Sequence, residues 1–173
     1  TGSSIYYDCQ NINPERLTLG VLKSAIHYGA NVANYALVKS LIINENHVLG
    51  VNVIDRLLGE QCSITASVTS NCAGPWADII LNSATQGHEN NHCIKRSEGI
   101  HIITKKLVNE HAVTAMTKSG RHLMLIHWRN HTLIGTTDKE YKGKPDDYKV
   151  SRNSIEALID DVNNVFGCEK LTY

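Results

Sequence analysis

Two short stretches carry residue types that could do chemistry. The octet Asn71-Cys72-Ala73-Gly74-Pro75-Trp76-Ala77-Asp78 follows an alternating segment, Ser63 to Ser70, with the character of a strand, and precedes Ile79-Ile80-Leu81, the apolar side of a short helix. A strand that ends in a small-residue turn and opens a helix presents backbone N–H groups to a phosphate or a ring system. Gly74 permits close backbone approach and Pro75 suits a first helical position. An ordinary strand-turn-helix connection uses the same residues, because glycine and proline mark turns everywhere. The second stretch, Ile100-His101-Ile102-Ile103, sets an imidazole in an apolar segment, and from spacing alone it reads as a half-buried strand histidine. Thr136-Thr137-Asp138 ends a strand with polar side chains, an arrangement that suits either a ligand or a turn cap. His88, His92 and Cys93 form H-x-x-x-H-C, but no second ligand pair follows at finger spacing, so no metal site is expected. Cys72 reads as a packed thiol.

These residues need a scaffold, and the pattern supplies one. A short strand is predicted over Ile5 to Asp8. A helix starts at Asn13-Pro14-Glu15, with Asn13 as N-cap, and Gly29 stops it. Leu17, Leu19, Val21, Leu22, Ala25 and Ile26 form its apolar face, which leaves Arg16 and Lys23 outside. Val32 to Tyr35 reads as a short strand. Ala36 to Ile43, Val48 to Asp55 and Gln61 to Ser70 read as an antiparallel meander, with turns at Asn44 to His47 and Leu58 to Glu60. Residues 82 to 91 read as a loop. Ile94 to Lys105, Leu107 to Met116, Leu123 to Trp128 and Thr132 to Gly135 are predicted to build a second sheet, with a turn near Lys118-Ser119-Gly120. Lys139 to Val150 reads as a polar loop, and a helix capped by Ser151 buries Ile155, Leu158, Ile159, Val162, Val165 and Phe166 before Gly167 ends it.

Composition bounds the function class. With 173 residues, 42% hydrophobic and 20% charged, the chain is long enough for a core of ordinary size. A formal net charge of +0 argues against a general nucleic-acid binder, which needs a basic surface. No apolar run approaches the ~20 residues of a membrane span. Five cysteines without a repeating pattern do not look like a disulfide scaffold; reduced thiols in a cytosolic setting are the simpler expectation. The start at Thr1-Gly2-Ser3-Ser4, without methionine, and the abrupt end at Tyr173 suggest a piece of a longer chain.

Five stretches, taken in order, resemble the FAD-dependent glycerol-3-phosphate dehydrogenases. The octet is similar to the family's N-A-[AT]-G-P-[WF] turn. Ile5-Tyr6-Tyr7-Asp8 through Glu15-Arg16-Leu17 resembles Y-Y-D…-A-R-[LM], and Gly29 to Tyr35 resembles G-A-x-x-x-N-Y. Gly99-Ile100-His101-Ile102-Ile103 resembles G-[VS]-H-[IL]-V, and Leu133 to Asp138 resembles [LI]-[IA]-G-T-T-D. The resemblance implies an α+β fold: part of an FAD-binding α/β domain with a β-meander over 1–82, and an antiparallel-sheet substrate domain flanked by helices over 83–173. It implies FAD as cofactor, and oxidation of glycerol 3-phosphate to dihydroxyacetone phosphate. Quinone is the implied onward acceptor, in a cytoplasmic enzyme at the inner face of the membrane. A homodimer is left open.

By the same resemblance His101 docks the substrate or accepts its hydroxyl proton, a task a neutral imidazole can perform. Asn71, Gly74, Pro75 and Trp76 lie on the flavin side, and Arg16, Tyr7, Thr136 and Thr137 on the substrate side. The sequence departs from the family at Glu98, where lysine is common, and at Thr104 and His127, where proline is common. It also contains no G-x-G-x-x-G fingerprint, so the piece alone is expected to bind FAD poorly and to be inactive. Two other readings compete: a related flavin enzyme with a different substrate, and a non-catalytic interaction domain that keeps the fold.

Overall fold

A computed structural model describes residues 2–84, 94–167 and 170–173. The first 12 of these are not a strand anywhere: Ile5 to Asp8 runs as exposed coil, with Tyr7 95% exposed. Helix α1 spans Pro14–His27. The Asn13 side chain accepts the Arg16 amide at 3.1 Å, and Gly29 takes the left-handed conformation (φ +93°) that stops the helix. Its apolar stripe is present but unburied, with Leu17 at 61% and Val21 at 62% exposed.

The meander forms as β1 (Ala36–Asn44), β2 (His47–Asp55) and β3 (Gln61–Thr65), all antiparallel in the order β1-β2-β3. Its first turn places Glu45 and Asn46 at φ 46° and 63°, the pair of left-handed residues that a tight hairpin needs. At the second, the Asp55 carboxylate accepts the Leu57 amide at 2.7 Å and the Leu58 amide at 3.2 Å. Residues 32–35 are not a strand. Tyr35 has φ 57°, a left-handed kink that a strand cannot contain. Strand β3 also ends at Thr65 rather than Ser70, leaving an irregular approach to the octet. In the sheet's polar face, Asn52 donates to Ser40 at 3.0 Å and accepts from Ser63 at 2.8 Å, one ladder across three strands.

The octet becomes a 3-10 turn, Gly74–Trp76, followed by the short helix α2 (Ala77–Asn82). Residues 85–93, which include His88, His92 and Cys93, lie outside the described residues. The predicted strand 94–105 is two strands in two different sheets: β4 (Arg96–Glu98) and β5 (Ile102–Thr104). The second sheet continues with β6 (Val113–Met116), β7 (His122–Trp128) and β8 (His131–Gly135), in the order β5-β8-β7-β6. Residues 107–112 are irregular because their amides turn toward a side chain: Thr132 Oγ1 accepts from Leu107 at 2.7 Å and Val108 at 3.3 Å. The polar loop 139–150 contains β9 (Lys139–Tyr141), paired with β4, and a 3-10 turn at Pro145–Asp147.

Helix α3 (Arg152–Val165) starts where Ser151 accepts the Ser154 amide at 3.1 Å. Its Leu158 and Val162 are fully buried against Leu123 and Leu125 of β7, Ile134 of β8, and Ile100. Alternation along β7 and β8 sends these residues to the helix-covered face of the sheet. An Arg121–Asp161 ion pair ties the β6–β7 turn to α3.

Candidate active site

Asn71 builds the octet turn. Its side chain accepts the Ala73 amide at 3.3 Å and donates to the Ala77 carbonyl at 3.0 Å, closing the loop around Gly74. Gly74 has φ +53°, and a methyl group added there would meet nothing within 4 Å, so the outer face of the turn is open. The inner face is anchored by charge. Asp78, 3% exposed, accepts the Ile94 amide at 3.2 Å and lies 3.6 Å from the Arg96 guanidinium. Arg96 Nε donates to the Pro75 carbonyl at 2.7 Å, and Trp76 Nε1 donates to Asp146 at 3.0 Å. The turn is thereby fastened to β4 and to the loop after β9.

His101 sits where β4 gives way to β5. The two glycine-bearing segments cross there. Gly99 lies against 136–137, where a Cβ would collide with the Thr137 carbonyl oxygen and stand 2.9 Å from Thr136 Oγ1. The buried Ile100 donates its amide to Thr137 Oγ1 at 2.8 Å, and its carbonyl accepts the Thr137 amide at 3.4 Å. Ser97 donates to Asp138 just beyond. The chain leaves β8 through a cis Gly135–Thr136 peptide bond. His101 emerges from this crossing exposed, with its ring against Gly135.

An open pocket of about 400 Å³ runs from Pro75 and Trp76 past Arg96 and Glu98 to Gly99, with Tyr141 and Tyr148 on its far wall. It reaches Pro75 and Trp76 of the octet at one end and Gly99, two residues before His101, at the other; His101, Asn71 and Gly74 do not line it. Thr136 and Thr137 belong to the same crossing, but their hydroxyls already act within the chain: Thr136 donates to the Thr137 carbonyl at 3.0 Å, and Thr137 holds Ile100. Arg16 and Tyr7 are exposed on and before α1. Among the described residues, no hydrogen bond or ion pair joins their side chains to this region. Glu98 lies 3.8 Å from Lys139, a largely exposed contact.

Sequence reasoning assigned no role to Asp78, Arg96 or Asp146, which hold the site together. Asp78 ends the octet and Arg96 lies in the stretch read as a strand from Ile94, but nothing in their spacing, 18 residues apart with a loop between, shows that they pair.

Residues 1–171 match the family described as DAO, FAD dependent oxidoreductase. The chain belongs to the FAD-dependent oxidoreductase family. Within it, the chain is 32% identical to a glycerol-3-phosphate dehydrogenase of Synechocystis sp., over 99% of this chain and 33% of that protein. It is 29% identical to an aerobic glycerol-3-phosphate dehydrogenase of Staphylococcus aureus, over 96% and 30%, and 28% identical to an alpha-glycerophosphate oxidase of Streptococcus pneumoniae, over 99% and 29%. The X-ray structure of the glycerol-3-phosphate dehydrogenase from Bacillus halodurans complexed with FAD superposes with a TM-score of 0.78 at 30% identity, covering 91% of this chain and 32% of that one. The chain thus spans about a third of the length of these relatives. In an FAD-dependent oxidoreductase, an open glycine turn with no side chain above it is a fitting neighbour for a flat ring, and Gly74 meets that test.

The buried ion pair should behave as a unit. Asp78→Ala strands Arg96 at 11% side-chain exposure and should cost about 3–5 kcal/mol in chemical denaturation. Arg96→Met added to Asp78→Ala should recover part of that loss; a double variant no more stable than Asp78→Ala alone would show that the pair is not coupled.

Proposed function

We propose that the full-length enzyme oxidises sn-glycerol 3-phosphate to dihydroxyacetone phosphate, and that this chain contributes its proton acceptor and one wall of its flavin site. The observation that carries the reading is the exposed imidazole of His101, held at a crossing of two backbone segments beside the pocket that leads to the octet. The names of the relatives supply the substrate class, since dehydrogenases and oxidases of glycerol phosphate both appear among them.

FAD, when bound, supplies the hydride acceptor for the C2–H bond. The residues of this chain do the rest. His101 orients the C2 hydroxyl and takes its proton as the hydride leaves, so that charge does not build on the oxygen. Asn71, Gly74, Pro75 and Trp76 of the octet turn would hold the flavin, and the Arg96–Asp78 pair ties that turn to β4. Thr136 and Thr137 border the substrate, Thr137 chiefly by fixing Ile100. Arg16 and Tyr7 reach the substrate when further elements of the full-length protein fold over α1. The segments 1–82 and 83–173 are parts of the cofactor and substrate domains respectively. Electrons pass on to a quinone, at a membrane surface that the enzyme touches from the cytoplasm.

In the flavin-loaded full-length enzyme, His101→Asn should slow anaerobic bleaching of the flavin by sn-glycerol 3-phosphate about 10²–10⁴-fold. It should also remove the limb of the pH–rate profile that a histidine base produces. Bleaching at the wild-type rate would rule out the role. If wild-type enzyme is not bleached by this substrate but by a hydroxy acid or an amine, the family reading survives and the substrate does not.

The sequence has no dinucleotide fingerprint, so the isolated 173-residue chain should bind FAD weakly and be inactive. Titration followed by flavin fluorescence checks this, and tight one-to-one binding would contradict it.

A further inference from the structure

The pairing of β5 with β8 matches Ile102 to Ile134 and Ile103 to Leu133. Continued by one step, that antiparallel register sets His101 opposite Gly135. The sheet face is the one turned away from α3, because Thr132 and Ile134 occupy the other. A side chain placed opposite a glycine has no partner side chain to stand against, so it can lie down on the backbone. The imidazole does so. A Cβ built on Gly135 would clash with the ring at its Cδ2 side, 2.7 Å from Nε2 and 2.9 Å from Cγ, and nearer still to Cδ2. Gly135 does not need to be glycine for its backbone: its φ lies outside the left-handed range, unlike Gly74 or Gly120. It is itself buried, and the space over it is taken by the ring. The three atoms nearest to where a Cβ at 135 would stand all belong to His101.

We propose that Gly135 is the positioning residue for His101: by lacking a side chain it provides the flat seat that fixes where the imidazole stands, while the Thr137 hydroxyl fixes the backbone that carries it. The catalytic part of this inference rests on His101 acting as proton acceptor; the seating part does not. A methyl group at 135 pushes the ring off its seat by roughly an ångström or more, and misplacement on that scale costs on the order of 10²-fold in rate.

The test is a four-member set in the flavin-loaded full-length enzyme: wild type, Gly135→Ala, His101→Ala and the double variant. Gly135→Ala should lower the denaturation midpoint when His101 is present and leave it nearly unchanged in the His101→Ala background, where the space is vacant. With sn-glycerol 3-phosphate, Gly135→Ala should reduce kcat about 10–100-fold with KM altered much less, because the placement lost is that of the proton acceptor in the chemical step. An equal loss of midpoint in both backgrounds, or failure of both alanine-135 proteins to fold, would show that Gly135 serves the sheet and not the imidazole. Coupled midpoints with kcat unchanged would overturn the positioning role. If the enzyme proves to act on a different substrate, the midpoint comparison still decides whether His101 is seated on Gly135.

Discussion

Between residues 99 and 101 the backbone packs closely against residues 135–137, and the rest of the candidate site depends on that contact. Gly99 allows the approach, the Thr137 hydroxyl accepts the Ile100 amide, and Gly135 leaves room for the imidazole. Ile100 is 5% exposed, so its N–H has no access to water and requires a partner. A threonine hydroxyl replaces the carbonyl that a regular ladder would offer. One consequence is that the stretch from 94 to 105 cannot continue as one strand. It changes sheets at the crossing, β4 pairing with β9 and β5 with β8. His101 therefore stands at a sheet junction, where a side chain can be exposed while its backbone is fixed.

Two buried polar arrangements carry this local order outward. Thr132, fully buried, accepts two amides of the 107–108 segment and locks that segment onto β8. Asp78 and Arg96 link α2 to β4, and each also bonds a backbone group, the Ile94 N–H and the Pro75 C=O. Such a pair contributes little net stability compared with apolar packing but leaves a costly charge if one member is removed. Its value here is geometric: it ties the open Gly74 turn to β4.

Much of the scaffold could be read from the sequence, for reasons that are local. The Asn13 and Ser151 caps, the Glu45–Asn46 turn and the Leu158/Val162 stripe each depend on a few neighbouring residues, and each formed as expected. The misplaced elements have other causes. Ile5 to Asp8 has strand-forming composition but pairs with no strand among the described residues, and the left-handed Tyr35 breaks Val32 to Tyr35 just before β1. The single strand expected over 94–105 hid a sheet change at Ile100, which is held by Thr137, 37 positions away. At the site, the types His101 and Gly74 were legible, and the family match agrees with the resemblance that drew attention to them. The contacts that fix them were not: neither the Asp78–Arg96 pair nor the seating of His101 on Gly135 leaves a trace in local spacing.

The most direct test of the central constraint is amide hydrogen exchange at Ile100. The account predicts protection comparable to that of the β7–β8 ladder in the wild-type protein, with Thr137→Val abolishing it at Ile100 while Leu125 and Ile134 stay protected. An Ile100 amide that already exchanges at the rate of an open loop would contradict the crossing, and with it the fixed placement of His101.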